Sequence, residues 1–277
     1  MTRLPSRLVL LGHPVAHSLS SAMQNAALRS AGVPLTYAAL DVAPRDLETT
    51  LRALHEGRAA GNVTLPHKAQ VARLCDALTG AAARAEAANT FWVADDGTLH
   101  GDNTDVAGFD ALVVSVLGEI PRRARIALLG AGGGAGAVLA AIERWERCEV
   151  TLYNRTRARA EALAARFEVV TTVAGSAAEA GRGADVVVNA TSVGLRDAEL
   201  PVSPGDLQGA VVDLVYRPGG TRWVRAARER GLRAGDGLEM LLEQGALAFE
   251  RWLAAPAPRA VMRAALQTAV ASSPSGE

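Results

Sequence analysis

The stretch 126–135 does most to limit the folds open to this chain. It reads Ile126-Ala127-Leu128-Leu129-Gly130-Ala131-Gly132-Gly133-Gly134-Ala135 and continues as an alanine-rich apolar run to Ile142. Four apolar residues ahead of turn glycines read as a buried strand, and the alanine-rich run after them as a helix. The 17 residues 126–142 carry no charge but include five glycines, so they are a poor membrane span. The spacing is G-x-G-x-x-A. Glycines at those places permit a tight turn and a close backbone approach, and the following helix offers free N–H groups and a positive dipole end to a pyrophosphate. A glycine-rich turn with no ligand is the plainer alternative. The strand before and the helix after favour a dinucleotide-binding loop.

The residues after the next strand indicate which dinucleotide. A loop of this type that binds NAD usually ends its second strand in Asp or Glu, which takes the ribose hydroxyls. Here the segment is Tyr153-Asn154-Arg155-Thr156-Arg157-Ala158-Arg159, with three arginines and no acid. Guanidinium groups match a phosphate in charge and geometry, which favours the 2′-phosphate of NADP. Arg155, at the strand end, is the first candidate. Arg157 and Arg159 read equally well as solvated helix charges. Further strands are expected at 150–153, 169–173, 186–189 and 211–215, alternating with helices, so this half should form a parallel sheet covered on both faces.

The first hundred residues show a second α/β pattern. Strands are expected at 8–11, 36–42 and 61–64. Helices are expected at 21–31, ended by Gly32, from Pro44 to about residue 56, and from Pro66 onward. Residues 91–94 and 98–100 flank Asp95-Asp96-Gly97, a hairpin signal that makes one strand antiparallel. A helix should run from Thr104 to about 117, and others over 238–253 and 260–270, with 272–277 a frayed tail. The fold class is therefore α/β in two domains: 1–104 with 238–277, carrying a mainly parallel mixed sheet, and 105–237, of Rossmann type.

Composition narrows the partners. The 29 basic and 29 acidic residues balance, and aromatic residues are only 4%, which argues against a nucleic-acid partner. The two cysteines, Cys75 and Cys148, make no disulfide framework and read as buried thiols of a reducing cytoplasm. No signal-peptide pattern is seen at the N-terminus, and no membrane association is expected. The chain leaves a homodimer open.

Two segments carry candidate chemistry. Asn62-Val63-Thr64-Leu65-Pro66-His67-Lys68 and Gly101-Asp102-Asn103-Thr104-Asp105 each place a charged residue at an element edge, after small polar ones. A lysine and an aspartate so placed could share a site and move a proton. Asp105 also reads as an ordinary first-turn acid, whereas a lysine in a first helical turn is disfavoured and asks for a reason. Gly12-His13-Pro14-Val15-Ala16-His17-Ser18-Leu19-Ser20 precedes a helix. Ser20 looks like its N-cap, and Ser18 and Ser20 could seat a small carboxylate there, although taken alone an ordinary cap explains them. His13 and His17 have no acid or cysteine cluster nearby, so no metal is expected. Gln244 lies on the apolar stripe of the 238–253 helix and needs a polar partner.

These motifs together resemble the shikimate/quinate dehydrogenase family. The resemblance spans nearly the whole chain and rests on 12–20, 62–68, Ala88-Asn89-Thr90, 101–109, Asn154-Arg155-Thr156, 189–194, and 237–241 with Gln244. It implies an NADP-dependent oxidoreductase that reduces 3-dehydroshikimate reversibly to shikimate. By the same resemblance Lys68 and Asp105 match the catalytic pair. Ser18 and Ser20, with Tyr216, match contacts to the substrate carboxylate, and Thr64, Asn89 and Gln244 match those to the ring hydroxyls. Gly130, Ala131, Gly132, Gly133, Gly134, Ala135, Asn154, Arg155, Thr156, Arg159, Thr191 and Gly237 match the NADP contacts. Two departures are Ser21, where the family usually has proline, and Gln24, where histidine is common. A shikimate/quinate dehydrogenase of broader specificity and a non-catalytic NADP-binding protein remain as alternatives.

Overall fold

The computed structural model describes residues 4–15, 18–195 and 199–272. His17 and 273–277 of the expected tail lie outside the described residues. The chain divides into two compact units, Met1–Val106 with Leu241–Ser272, and Ala107–Met240. Asp105 therefore lies in the same unit as Lys68.

The first unit is built on β1 (Leu8–Gly12), β2 (Tyr37–Asp41), β3 (Ala60–Val63), β4 (Ala77–Leu78), β5 (Thr90–Val93) and β6 (Leu99–Asp102). Their order is β2-β1-β3-β5-β6-β4. β1 is parallel to both neighbours, while β5 runs antiparallel to β3 and β6. All five residues of β1 are buried, and successive side chains go to opposite faces. Leu8 and Leu10 pack with Met23 and Leu28 of α1 (Ser20–Ser30), Phe249 and Trp252 of α10 (Leu238–Leu253), and Met262 of α11 (Arg259–Ser272). Val9 and Leu11 pack with Leu47, Leu51 and Leu54 of α2 (Leu47–Glu56) and Val71 of α3 (Lys68–Leu74).

Two helix starts differ from expectation. Ser20 is the first residue of α1, not its cap. Leu19 holds the cap position, and the Ser20 N–H is taken by Ser18 Oγ at 3.3 Å. Pro66 sits in a turn, and α3 begins two residues later. The buried His67 imidazole fixes that turn by donating from Nε2 to the Val42 carbonyl at 2.7 Å. Two short elements of this unit were not anticipated: the two-residue β4, and α4 (Gly80–Ala85), capped by Thr79.

The second unit begins within α5 (Asp105–Leu117). It contains β7 (Arg125–Leu129), β8 (Glu149–Tyr153), β9 (Thr171–Val173), β10 (Val186–Asn189), β11 (Ala210–Asp213) and β12 (Ala234–Gly235), in the order β12-β11-β10-β7-β8-β9. Every pairing is parallel, as expected. The helices α6 (Gly133–Ile142), α7 (Arg157–Ala164), α8 (Ala177–Gly181) and α9 (Arg222–Glu229) connect the strands. The strand order reverses between β7 and β10, the doubly wound arrangement whose ligand crevice lies beyond the strand C-termini at that reversal. No described helix is long and apolar enough to cross a membrane.

Close strand approach in the first unit depends on Gly61, which pairs with Val9. A Cβ there would lie 2.1 Å from the Val9 carbonyl oxygen. Gly61→Ala is expected to destabilise the protein by about 1–3 kcal/mol. Circular-dichroism thermal melts should show a lower midpoint, and an unchanged one would refute the tight-packing account.

Candidate active site

In the first unit the loops after β1 and β3 run side by side. His13 N–H donates to Leu65 O at 3.0 Å, and Thr64 N–H to Leu11 O at 2.8 Å. A Cβ on Gly12 would sit 2.5 Å from Thr64 Cγ2. β1 and β3 flank the point where the order of this sheet reverses, so both loops open at a natural crevice. α3 follows the second loop and puts Lys68 at its first position. Lys68 Nζ donates to Asp105 Oδ2 at 2.6 Å, with the side chains only 17% and 8% exposed. Asp105 is the first residue of α5, where the helix dipole favours a carboxylate.

Asn89 links this pair to the rest of the unit. Its Nδ2 donates to Asp105 Oδ1 at 2.9 Å, to Thr104 Oγ1 at 3.0 Å and to Gln244 Oε1 at 3.3 Å. Its Oδ1 accepts from the Thr104 N–H at 2.8 Å. Gln244 Nε2 caps the Leu241 carbonyl at 2.9 Å. Four of the expected site residues, Lys68, Asp105, Asn89 and Gln244, are thus in one hydrogen-bonded cluster. Thr64 stands just past the end of β3, and Ser18 and Ser20 at the start of α1; none of the three bonds to these four among the described residues. His13 Nδ1 pairs with Asp41 Oδ1 at 2.5 Å, and among the described residues no group of three or more His, Cys, Asp or Glu could hold a metal.

In the second unit the loop after β7 is shaped by missing side chains. Gly130 has φ +110°, and a Cβ on it would lie 2.8 Å from the Ala190 carbonyl oxygen. Gly132 and Gly133 lead into the ten-residue α6 with open space where a Cβ would stand. The Ala131 N–H is held by Asn154 Oδ1 at 3.2 Å, and Asn154 Nδ2 donates to Thr156 O at 2.9 Å, joining the loops after β7 and β8. Arg157 is committed to Glu161 at 2.7 Å. Arg155 and Arg159 are exposed and make no ion pair among the described residues. Thr191 lies in the loop after β10, and Tyr216 follows β11. Gly237 admits no side chain, since its Cβ would be 2.2 Å from Leu214 O.

Three family models match this chain: "Shikimate dehydrogenase substrate binding domain" at 10–91, "Shikimate / quinate 5-dehydrogenase" at 113–195, and "Shikimate 5'-dehydrogenase C-terminal domain" at 237–267. A shikimate dehydrogenase (NADP(+)) of Rubrobacter xylanophilus is 42% identical over 268 residues, covering 93% of this chain and 94% of the relative. The chain belongs to the shikimate dehydrogenase family. The crystal structure of the family member from Aquifex aeolicus has a TM-score of 0.88 at 33% identity, covering 95% of this chain and 98% of that one. The one from Thermus thermophilus, in complex with NADP(H) and shikimate, has 0.84 at 39% identity, covering 95% and 99%.

Three buried polar residues of this shikimate dehydrogenase family member escaped the sequence reading. Asn62 accepts from Tyr37 Oη at 2.8 Å and donates to Asn89 O at 3.2 Å. Burial pushes the Tyr37 phenol up, so it stays a donor. Thr104 binds both ends of the Asn89 amide. Asp213 closes β11 and is 1% exposed. For Asn62 and Asp213 the signal was a polar residue inside or ending an apolar strand, which requires partners.

Burial pushes the Asp213 carboxyl up to about 6, against hydrogen bonds from Thr221, Val215 and Asn189 that favour its charge. The ordinary unfolded value is near 3.9. Between those values the folded chain holds a proton that the unfolded chain releases. The contribution of Asp213 to stability therefore falls as pH rises from about 4 to about 6, and is flat above, a loss on the order of 3 kcal/mol. Asp213→Asn should remove that slope. Urea unfolding of both proteins across pH 4–8 would show it, and parallel curves would refute it.

Proposed function

We propose that this chain is an NADP-dependent shikimate dehydrogenase of the cytoplasm that reduces 3-dehydroshikimate reversibly to shikimate. The observation that carries the reading is the Lys68–Asp105 pair, 2.6 Å apart and fixed by Asn89 in a cluster with Gln244. A binding protein without catalysis would have no use for an oriented, mostly buried proton donor beside a polar crevice.

The second unit fits the cofactor. The cradle at Gly130, where a Cβ would collide with Ala190, lets the backbone approach a pyrophosphate. Arg155 and Arg159, without an ion pair among the described residues, suit a 2′-phosphate. We assign NADP binding to Gly130, Ala131, Gly132, Gly133, Gly134, Ala135, Asn154, Arg155, Thr156, Arg159, Thr191 and Gly237. When bound, the nicotinamide supplies a hydride to the ketone carbon or takes one from the alcohol.

The remaining work falls to the side chains. As the ketone is reduced, negative charge grows on its oxygen. Lys68 Nζ stabilises that charge and delivers the proton, worth about 10²–10⁴-fold in rate. Asp105 aims Lys68 and keeps its charge compensated, and in reverse the pair accepts the proton of the hydroxyl. Asn89, Gln244 and Thr64 donate to or accept from the ring hydroxyls. Ser18 and Ser20 hold the carboxylate, and Tyr216 adds a phenol contact to it. Ser18 Oγ already accepts the Ser20 N–H, whereas the Ser20 hydroxyl makes no hydrogen bond among the described residues.

The deciding assay is NADPH oxidation dependent on 3-dehydroshikimate, with shikimate and quinate compared in the reverse direction. Lys68→Met should lose about 10²–10⁴-fold in kcat while still binding NADPH. Asp105→Asn should show a related loss, and the double variant little more than the worse single one. Near-normal turnover of Lys68→Met would overturn the assignment. Arg155→Ala should raise the KM for NADPH about tenfold and leave that for NADH nearly unchanged, since a charge-assisted phosphate contact is lost. Equal effects on both cofactors would remove Arg155 from the 2′-phosphate site.

A further inference from the structure

The buried Asp213 carboxylate ties together three segments of the second unit. Its Oδ1 accepts from Asn189 Nδ2 at 2.8 Å and from the Val215 N–H at 3.0 Å, and its Oδ2 from Thr221 Oγ1 at 2.8 Å. Asn189, fully buried at the end of β10, turns its own Oδ1 to the N–H and hydroxyl of Thr191, at 3.0 and 2.6 Å. Its Nδ2 also reaches Val193 O at 3.2 Å. Val215 precedes Tyr216, and the Val215 carbonyl accepts from the Gly237 N–H at 3.1 Å. Thr221 caps α9 by accepting from the Val224 N–H at 3.2 Å. Thr191, Tyr216 and Gly237 thus each stand a short chain of bonds from one carboxylate.

The choice of residue is informative. Three donors converge on the position, so an acceptor-only group satisfies all of them. Yet no cation pairs with this carboxylate among the described residues, and the nearby Asp236 opposes its charge. A buried carboxylate without a counter-ion is a costly tie if stability were the only demand. In the functional assignment above, Asp213 touches neither substrate nor cofactor. What it fixes is where the strand-end loops of β10 and β11 stand relative to one another.

We infer that Asp213 is a positioning residue for hydride transfer, holding the Thr191 loop through Asn189 and the Tyr216–Gly237 segment through Val215 in a single register. The inference rests on the assignment of Thr191 and Gly237 to NADP and of Tyr216 to the substrate. It makes Asn189 the arm that serves the cofactor side alone.

Three variants test it, each measured well below its own unfolding midpoint. The readouts are the NADPH dissociation constant from fluorescence titration and, separately, KM for 3-dehydroshikimate and kcat. Asp213→Ala should weaken NADPH about tenfold and raise the substrate KM about as much, as loss of hydrogen bonds to a charged group implies. Asp213→Asn keeps acceptors for Asn189 and Val215 and can donate to Thr221, so it should bring both back to within about threefold of the wild type. Asn189→Ala should weaken NADPH about tenfold and leave the substrate KM within about twofold. An Asp213→Ala protein that binds NADPH as the wild type does would overturn the inference. So would an Asn189→Ala protein with unchanged NADPH affinity, which decides the matter even if Asp213→Ala fails to fold. A wild-type chain that does not bind NADPH would instead overturn the functional assignment.

Discussion

The buried amide of Asn89 makes or takes a hydrogen bond at each of its polar atoms, and the main chain of the same residue does likewise. The backbone carbonyl accepts from the Val63 N–H and from Asn62, and the backbone N–H donates to Asp102 O. The side chain holds Thr104, Asp105 and Gln244. One step earlier, the Ala88 N–H donates to the Lys68 carbonyl at 2.9 Å. The end of β3, the start of α3, the junction of β6 with α5, and α10 are therefore fastened at a single place. In a buried setting each lost partner leaves an unsatisfied group behind, so the cluster forms as a whole or at considerable cost. The separation of Lys68 and Asp105 follows from that constraint as much as from their own attraction.

The second unit prepares its site by the opposite means. Where the first unit converges polar side chains, the loops after β7 and β12 are shaped by what is missing: no Cβ fits at Gly130 in the one or at Gly237 in the other. Pyrophosphate binding by backbone N–H groups needs close approach, and side chains would only obstruct it. The side chains of Asn154, Asn189 and Asp213 bind main chain and other polar side chains of this unit, and so set loop positions. Of the arginines after β8, Arg157 is held by Glu161, whereas Arg155 and Arg159 stay exposed and make no ion pair among the described residues.

Much of this was legible because local chemistry and fold agree. The apolar runs at 8–11 and 126–129, the glycines from Gly130 onward and the Asp95-Asp96-Gly97 turn each specify their element on their own. Gln244 on an apolar helix stripe announced that it needed a partner, though the sequence does not say that the partner is Asn89. What stayed hidden was set by long-range bonds or by length. β4 and β12 are two residues each, too short for any periodicity. Ser20 loses the cap position because Ser18, two residues earlier, takes its N–H. α3 starts after Pro66 because His67 is bound to Val42, just past the end of β2. The division among the arginines was accessible: Glu161 stands four residues after Arg157 on the same helix, the spacing that forms an ion pair.

The first unit is discontinuous, and that has a consequence for how the protein is made. Met23, Leu28 and Leu10 share a core with Phe249, Trp252 and Met262. On the ribosome, the sheet from β1 to β6 emerges with only α1 to cover the face that α10 and α11 will share, and the rest of that face stays bare while the whole second unit is translated. At typical elongation rates that is roughly ten seconds or more. During that interval the nascent chain carries exposed aliphatic surface, a target for chaperones and a hazard for aggregation, while the second unit is free to fold first. Lys68 and Asp105 are synthesised early, but Asn89 receives Gln244 only when α10 arrives, so their hydrogen-bonded cluster is completed after the second unit has been made.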